Sequence, residues 1–237
     1  MLLPGYITGR FMKIIGTNGA IHTTEEHLAD FSSTFTDLTA ATLVKVASSS
    51  TDDDAGGTGA LTVGLHGIDA NYKRVSETIT LDGQTAVASV NTYLAILGAE
   101  VLTAGTGLKN AGNINIADDG ATFTSGVPAT LFLCQIPAGA NISYSGNAII
   151  PVGTKYKAKS ITVFNSTQIA RLFIKAKEYG GLWKNVHTLP CSATHGARVD
   201  LSDLDLVFQE KTSIELAAIA ATSGAVMTAA LVLEVIP

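Results

Sequence analysis

After residue 40 the chain alternates short apolar runs with turn residues. "ATLVKVASS", "GALTVGLHGID", "RVSETITL" and "NTYLAILGAEVL" are rich in β-branched side chains and bounded by Gly, Asn, Asp or Ser. Turn signals recur roughly every 8 to 12 residues, a spacing that predicts an all-β sandwich or barrel. In "KYKAKSITVFN" Lys155, Lys157 and Lys159 share one face while Tyr156 and Ala158 share the other, which predicts a half-exposed strand. "LDGQ" at Leu81 to Gln84 predicts a hairpin-type turn, because Asp-Gly supplies the positive φ that primed turns require.

Before residue 40 the pattern is irregular. Thr23 or Thr24 ahead of "EEHLADF" is placed to cap one short helix. Residues 1–40 read as an N-terminal arm that gains order by lying on a neighbour, with a solvated, disordered terminus as the alternative. Its candidate contacts are Phe11, Ile14, Ile15, Phe31 and Phe35, apolar side chains without an evident local strand partner. Residues 41–237 form the β region. The Gly, Asn and Ser-rich stretch "TAGTGLKNAGNINIADDGATFTSGV" is either a long hairpin loop or a crossing between two subdomains split near 120–128.

Composition narrows the function classes. Only 15% of the 237 residues are charged, against about 25% in ordinary soluble domains. Such a chain is expected to hide much of its surface against partners. The formal net charge of −5 argues against general nucleic-acid binding, which needs clustered Lys and Arg. Apolar stretches such as Ala217 to Pro237 are broken by Thr, Ser, Gly and Glu and read as strands rather than membrane spans. The start lacks the charged region, apolar core and cleavage site of a signal peptide, so synthesis in the cytoplasm is expected. Of the two cysteines, Cys134 lies in "ATLFLCQI" and reads as a buried free thiol; a bridge to Cys191 stays open.

Candidate chemistry is sparse. Asp52, Asp53 and Asp54 offer hard oxygen ligands, but "DDDAGGTG" lacks the spacing of a helix-loop-helix calcium loop and the Lys of a phosphate loop. A turn between strands is the expected role. His22 and His27 are five apart, a poor spacing for two ligands on one helical face. Asp118 with Asp119 and Asp203 with Asp205 are the carboxylate pairs available to a glycosidase, and both read as solvated charges, the second on a strand face. No catalytic residue, metal or cofactor is assigned. Tyr179 and Trp183 flank a Gly-Gly turn in "KEYGGLWKNVH", where exposed aromatics make a sugar platform, close a hairpin or anchor a subunit interface.

Longer phrases resemble structural proteins of tailed bacteriophages. "GIDANY", "VSETITLDG", "NTYL" and the "NAGNI" hairpin are similar to one half of a recurrent module. "IPAGANISYSG", "ARLFIKAKEYGGLWK" and "EKTSIEL" are similar to the other half, so the resemblance covers about Ala41 to Pro237. It implies a virion component with a β-sandwich or jelly-roll fold, and assembly rather than catalysis. The specific expectation is a capsid decoration or cement protein, trimeric, assembled in the host cytoplasm and bound on the capsid surface to the major capsid protein and to copies of itself. The alternative is a receptor or carbohydrate-binding module in a tail or head fibre, with Tyr179 and Trp183 as its platform.

Overall fold

The structure, a computed structural model, describes residues 7–8, 10–29, 38–130, 132–166 and 168–237. It is all-β and antiparallel. The chain opens with β1 (Ile7–Thr8), β2 (Phe11–Ile21) and β3 (Glu26–His27). It continues through β4 (Val44–Ser48), β5 (Ala60–Ile68), β6 (Arg74–Thr80), β7 (Val87–Ala88), β8 (Ala95–Ala104), β9 (Ile114–Asp118), β10 (Phe123–Thr124), β11 (Val127–Pro128) and β12 (Phe132–Ile136). It ends with β13 (Asn147–Ile149), β14 (Lys155–Ser166), β15 (Ala170–Lys177), β16 (Lys184–Cys191), β17 (His195–Asp200), β18 (Val207–Phe208), β19 (Ser213–Ala220) and β20 (Ala225–Ile236).

Two compact units divide these strands. The first is Met1–Asp30 with Ser145–Pro237, and the second is Phe31–Tyr144. The division therefore falls at 30/31 and 144/145; the stretch 120–128, for which a loop and a subdomain crossing were both open, lies inside the second unit and contains the β10–β11 ribbon.

The first unit has two sheets. One runs β1-β2-β20-β14-β17 with β18 beside β14; the other runs β13-β19-β15-β16 with β3 beside β19. Alternation builds both inner faces. Ala225, Met227, Ala229, Leu231 and Leu233 of β20 are buried while Val226, Thr228, Ala230 and Val232 between them are half-exposed. Leu172, Ile174, Ile214 and Leu216 are among the fully buried residues of the second sheet. In β14, Tyr156 and Ala158 are buried and Lys155, Lys157 and Lys159 lie outward, as the pattern predicts.

Residues 11–21, expected within an irregular arm, form an eleven-residue strand between β1 and β20. Its register runs from Phe11↔Glu234 to Asn18↔Met227. Met12 and Ile14 point into the core, 0% and 1% exposed. Ile14 is thus a core residue and unavailable to a partner, while Phe11 and Ile15 lie on the opposite face, Phe11 exposed and Ile15 half-buried. At Gly16 the chain needs glycine: a Cβ there would stand 2.5 Å from the Leu28 carbonyl oxygen and 2.9 Å from the Gly146 Cα. The expected helix after Thr23 and Thr24 is replaced by β3, which pairs with β19. Backbone pairing to β19, beyond the end of its short ladder with β13, outcompetes a short helix whose nucleation is unfavourable. Phe31 and Phe35 lie outside the described residues.

The second unit has a β12-β9-β4-β7 sheet and a β6-β5-β8 sheet. Val44, Val46, Val63, Leu65, Tyr93, Ile96, Ile114, Ile116, Leu133 and Cys134 belong to its core. The Asp82–Thr85 turn forms, with Gly83 at φ +56°. An antiparallel bridge joins Asp82 to Thr85 across it, while the longer strands on either side pair elsewhere, β6 with β5 and β7 with β4. Both cysteines are buried free thiols, Cys134 in the second unit and Cys191 in the first.

The two neighbouring isoleucines of β2 test this assignment. Ile14→Ala should lower unfolding free energy by about 2–5 kcal/mol, the range for opening a cavity in a packed core. Ile15→Ala should cost about 1 kcal/mol or less. Urea unfolding of the two variants measures both, and equal costs would contradict the strand.

Candidate functional site

The aspartate run resolves into a knot of backbone around one carboxylate. Asp53 is fully buried. Its Oδ1 accepts the N–H groups of Ala60 at 2.7 Å and Ala111 at 2.8 Å. Its Oδ2 accepts the Gly112 N–H at 2.9 Å and the Ser48 hydroxyl at 2.5 Å. Both oxygens are therefore engaged by protein donors, which joins the loops at 48–60 and 110–112. Asp54 accepts the Gly56 N–H at 2.6 Å, and Asp52 is exposed. The glycines follow from the wrapping: a Cβ on Gly57 would stand 2.0 Å from the Asp52 carbonyl oxygen, and one on Gly59 2.1 Å from Asp53 Oδ1. Among the described residues, no three His, Cys, Asp or Glu side chains are grouped to hold an ion.

The other motif residues do similar work. In "DANY", Asp69 Oδ1 accepts the N–H groups of Asn71 and Lys73, both at 2.8 Å, and Tyr72 sits at φ +59°. Glu77 of "SET" reaches the loop before β8, where its Oε2 accepts the Asn91 N–H at 3.0 Å and the Asn91 Nδ2 at 2.9 Å. Burial, and then the charge and hydrogen bond of Glu77, push the phenol of Tyr93 up. Asn110 of "NAG" donates to the carbonyls of Gly112 at 2.7 Å and Pro137 at 2.8 Å. It also exchanges reciprocal backbone-to-side-chain bonds with Asn141, both 3.0 Å.

Among the described residues, the β15–β16 hairpin presents the most exposed aromatic side chain, Tyr179. Gly180 turns the chain at φ +73°. Tyr179 is 69% exposed and Leu182 81%, while Trp183 is half-buried. Lysine ammonium groups stand over both rings. Lys177 Nζ is 5.0 Å and Lys175 Nζ 5.9 Å from the Trp183 centroid, and Lys211 Nζ is 5.2 Å from that of Tyr179. A sugar stacking on either of those ring faces has to displace a cation or bind beside it. Sequence spacing named Tyr179 and Trp183 together; it did not name Leu182, nor Lys211, which arrives from the turn before β19.

Beneath this hairpin His27 Nδ1 lies 3.0 Å from Glu215 Oε1, and Lys175 Nζ is 2.6 Å from Glu25 Oε1 and 3.9 Å from Glu215 Oε2. Burial raises the Glu215 pKa, but the His27 hydrogen bond and the charges of His27, Lys175 and Lys177 outweigh it, so the carboxyl lies below its ordinary value. His22 pairs with Glu26 rather than with His27. Of the carboxylate pairs, Asp118 accepts the Gly120 N–H and Asp119 meets Lys45 at 3.1 Å. Asp203 and Asp205 lie in and after a 3-10 turn, Ser202–Leu204, not on a strand face as expected. Lys157, 2.6 Å away, holds the Asp205 carboxyl below its usual range. Burial pushes the Cys134 thiol up to about 11, the state of an inert core cysteine.

No known protein family matches the chain, and no curated protein sequence does. Among solved structures, one of the infectious bursal disease virus Gt strain aligns with 98% of this chain and 75% of its own, at 10% identity and a TM-score of 0.22. The VP2 subviral particle of infectious bursal disease virus aligns over 98% and 74%, at 9% identity and a TM-score of 0.21. TM-scores of this size carry no weight for architecture or role.

Two predictions follow, one from the buried Asp53 and one from the half-buried Glu215. Asp53→Asn retains one acceptor and turns an NH2 group toward N–H donors, so it should cost about 3 kcal/mol of stability in chemical denaturation, the scale of lost charge-assisted bonds. Full stability of that variant would refute the knot. Glu215, lowered in the folded state, contributes stability that is present above the unfolded value of about 4.3 and lost as pH falls through its folded value. Glu215→Gln should therefore flatten the acid limb of a plot of melting temperature against pH, and an unchanged limb would remove Glu215 from the account.

Proposed function

We propose that the chain is a non-enzymatic structural protein of a virion, a decoration or cement protein on the capsid surface of a tailed bacteriophage. Its partners in this reading are the major capsid protein and further copies of itself, met during assembly in the host cytoplasm. The observation that carries the reading is the use to which the resembling motifs are put. Asp69, Glu77, Asn91 and Asn110 spend their polar atoms on the chain's own loops, which suits a rigid module whose role is to fill and bridge. Cementing needs only added buried area between shell subunits, repeated by symmetry so that weak contacts act together. The low charge of the chain supports it as well.

A second reading has one observation in its favour. The exposed Tyr179 and Leu182 beside Trp183 form a projecting tip, which a receptor or glycan-binding module of a fibre would use. Quantitative mass spectrometry of purified particles separates the two. A copy number comparable with the major shell protein supports cement; a handful of copies per particle moves the chain to a fibre or collar. Tyr179→Ala, at an exposed position, should change stability by no more than about 0.5 kcal/mol. On the cement reading it also leaves particle occupancy unchanged, and lost glycan binding by this variant would favour the fibre.

A further inference from the structure

β17 is the last strand of its sheet. β14 pairs with one side of it, from Ser160↔Asp200 to Asn165↔His195 without a bulge, and among the described residues no strand pairs with the other. The Leu201 N–H reaches the Lys159 carbonyl at 2.8 Å. Backbone groups alternate sides along a strand, so those of Ala197 and Val199 also face β14, and those of Gly196, Arg198 and Asp200 point outward. Exposed edges are commonly blunted by proline, a bulge or charged side chains, lysine above all. The edge strand of the other sheet, β16, carries Lys184 and Pro190; β17 carries no proline, lysine or bulge, and its charged side chains Arg198 and Asp200 are opposite in sign.

Its two faces also point to a missing neighbour. Ala197 and Val199 lie opposite the buried Val163 and Ile161, yet both stay half-exposed, as in an apolar layer that ends one strand early. On the outer face Arg198 and Asp200 are exposed, two residues apart and opposite in charge. Arg198 makes a long contact to the Ser160 hydroxyl at 3.3 Å, and Asp200 accepts the Ser202 N–H at 2.8 Å, which fixes its carboxylate at the edge.

A strand with opposite charges two residues apart is complementary to itself. Paired antiparallel with a second copy about Val199, it sets Arg198 opposite Asp200 of the other copy, twice. A register centred on Arg198 opposes two guanidinium groups, and one centred on Asp200 opposes two carboxylates. A one-residue slip turns the apolar face of one copy outward. In the Val199 register the facing residues are also those whose N–H and C=O groups point outward, so backbone bonds and ion pairs form together.

We propose that the chain forms a two-fold dimer through β17, joining the β14-containing sheets of two copies into one antiparallel sheet with paired Arg198 and Asp200 on its outer face. The occupant of this edge is a second copy of the chain, and the symmetry is two-fold in place of the trimer expected for a cement protein. The inference does not rest on the virion reading, because the dimer forms in a dilute solution of the pure protein.

Analytical ultracentrifugation of the full chain tests it, with circular dichroism to check folding. The wild type should sediment as a dimer. Arg198→Asp and Asp200→Arg should each raise the dimer dissociation constant about tenfold or more, since each replaces two attractive cross-strand contacts with two repulsive ones. The double variant, Arg198→Asp with Asp200→Arg, should restore the dimer. A monomeric or trimeric wild type, single variants that remain dimeric, or a folded double variant that stays monomeric would each overturn the proposal.

Discussion

A loop that crosses the interior of a β domain carries N–H groups that no ladder reaches, and an unpaired buried donor costs about 1–3 kcal/mol. The second unit depends on side chains that meet this demand. Asp53 takes three backbone N–H groups and a hydroxyl. With the carbonyl of its own residue accepting the Gly83 N–H at 2.9 Å, it ties the 48–60 segment to the turn at 83 and the loop at 110. Asn110 and Asn141 do the same for the far side of that loop. Long glycine-rich connections become fixed parts of the module because a few short polar side chains supply what a strand partner would have supplied.

The first unit is held by a different constraint, the closing of a sheet by strands from opposite ends of the chain. β2 pairs with β20 along most of its length, and β20 pairs with β14 from Lys155↔Ile236 to Ser166↔Val226. The N-terminal segment is therefore part of the core, and the second unit is an insertion between its two halves. Contact order of this kind slows folding, and among the described residues no strand pairs with the outer side of β17. Function, on our reading, lies at such surfaces: the exposed edge at β17 and the hairpin at Tyr179, both presented by the sheets of the first unit.

Much of the architecture was legible along the chain. Alternation in "KYKAKSITVFN" needs no partner to be read, because the period of two is imposed by the pleat of the strand itself, and β-branched side chains between turn residues marked "RVSETITL" as a strand. The Asp-Gly turn at 82–83 was legible for the same local reason, and so was the buried thiol of Cys134 in its apolar run. By themselves, the residues determined an all-β chain, strand positions after residue 40, and the pairing of aromatics around Gly180 and Gly181. What only the tertiary structure decided is which strands meet. "FMKIIGTNGAI" reads as irregular until β20 lies beside it, Asp53 reads as one residue of a turn until backbone from residue 111 arrives, and Lys211 meets Tyr179 from a distant turn. Partners separated by tens to hundreds of residues leave no periodic trace in either segment, since hydrogen bonds and burial depend on where the chain returns and not on what precedes it.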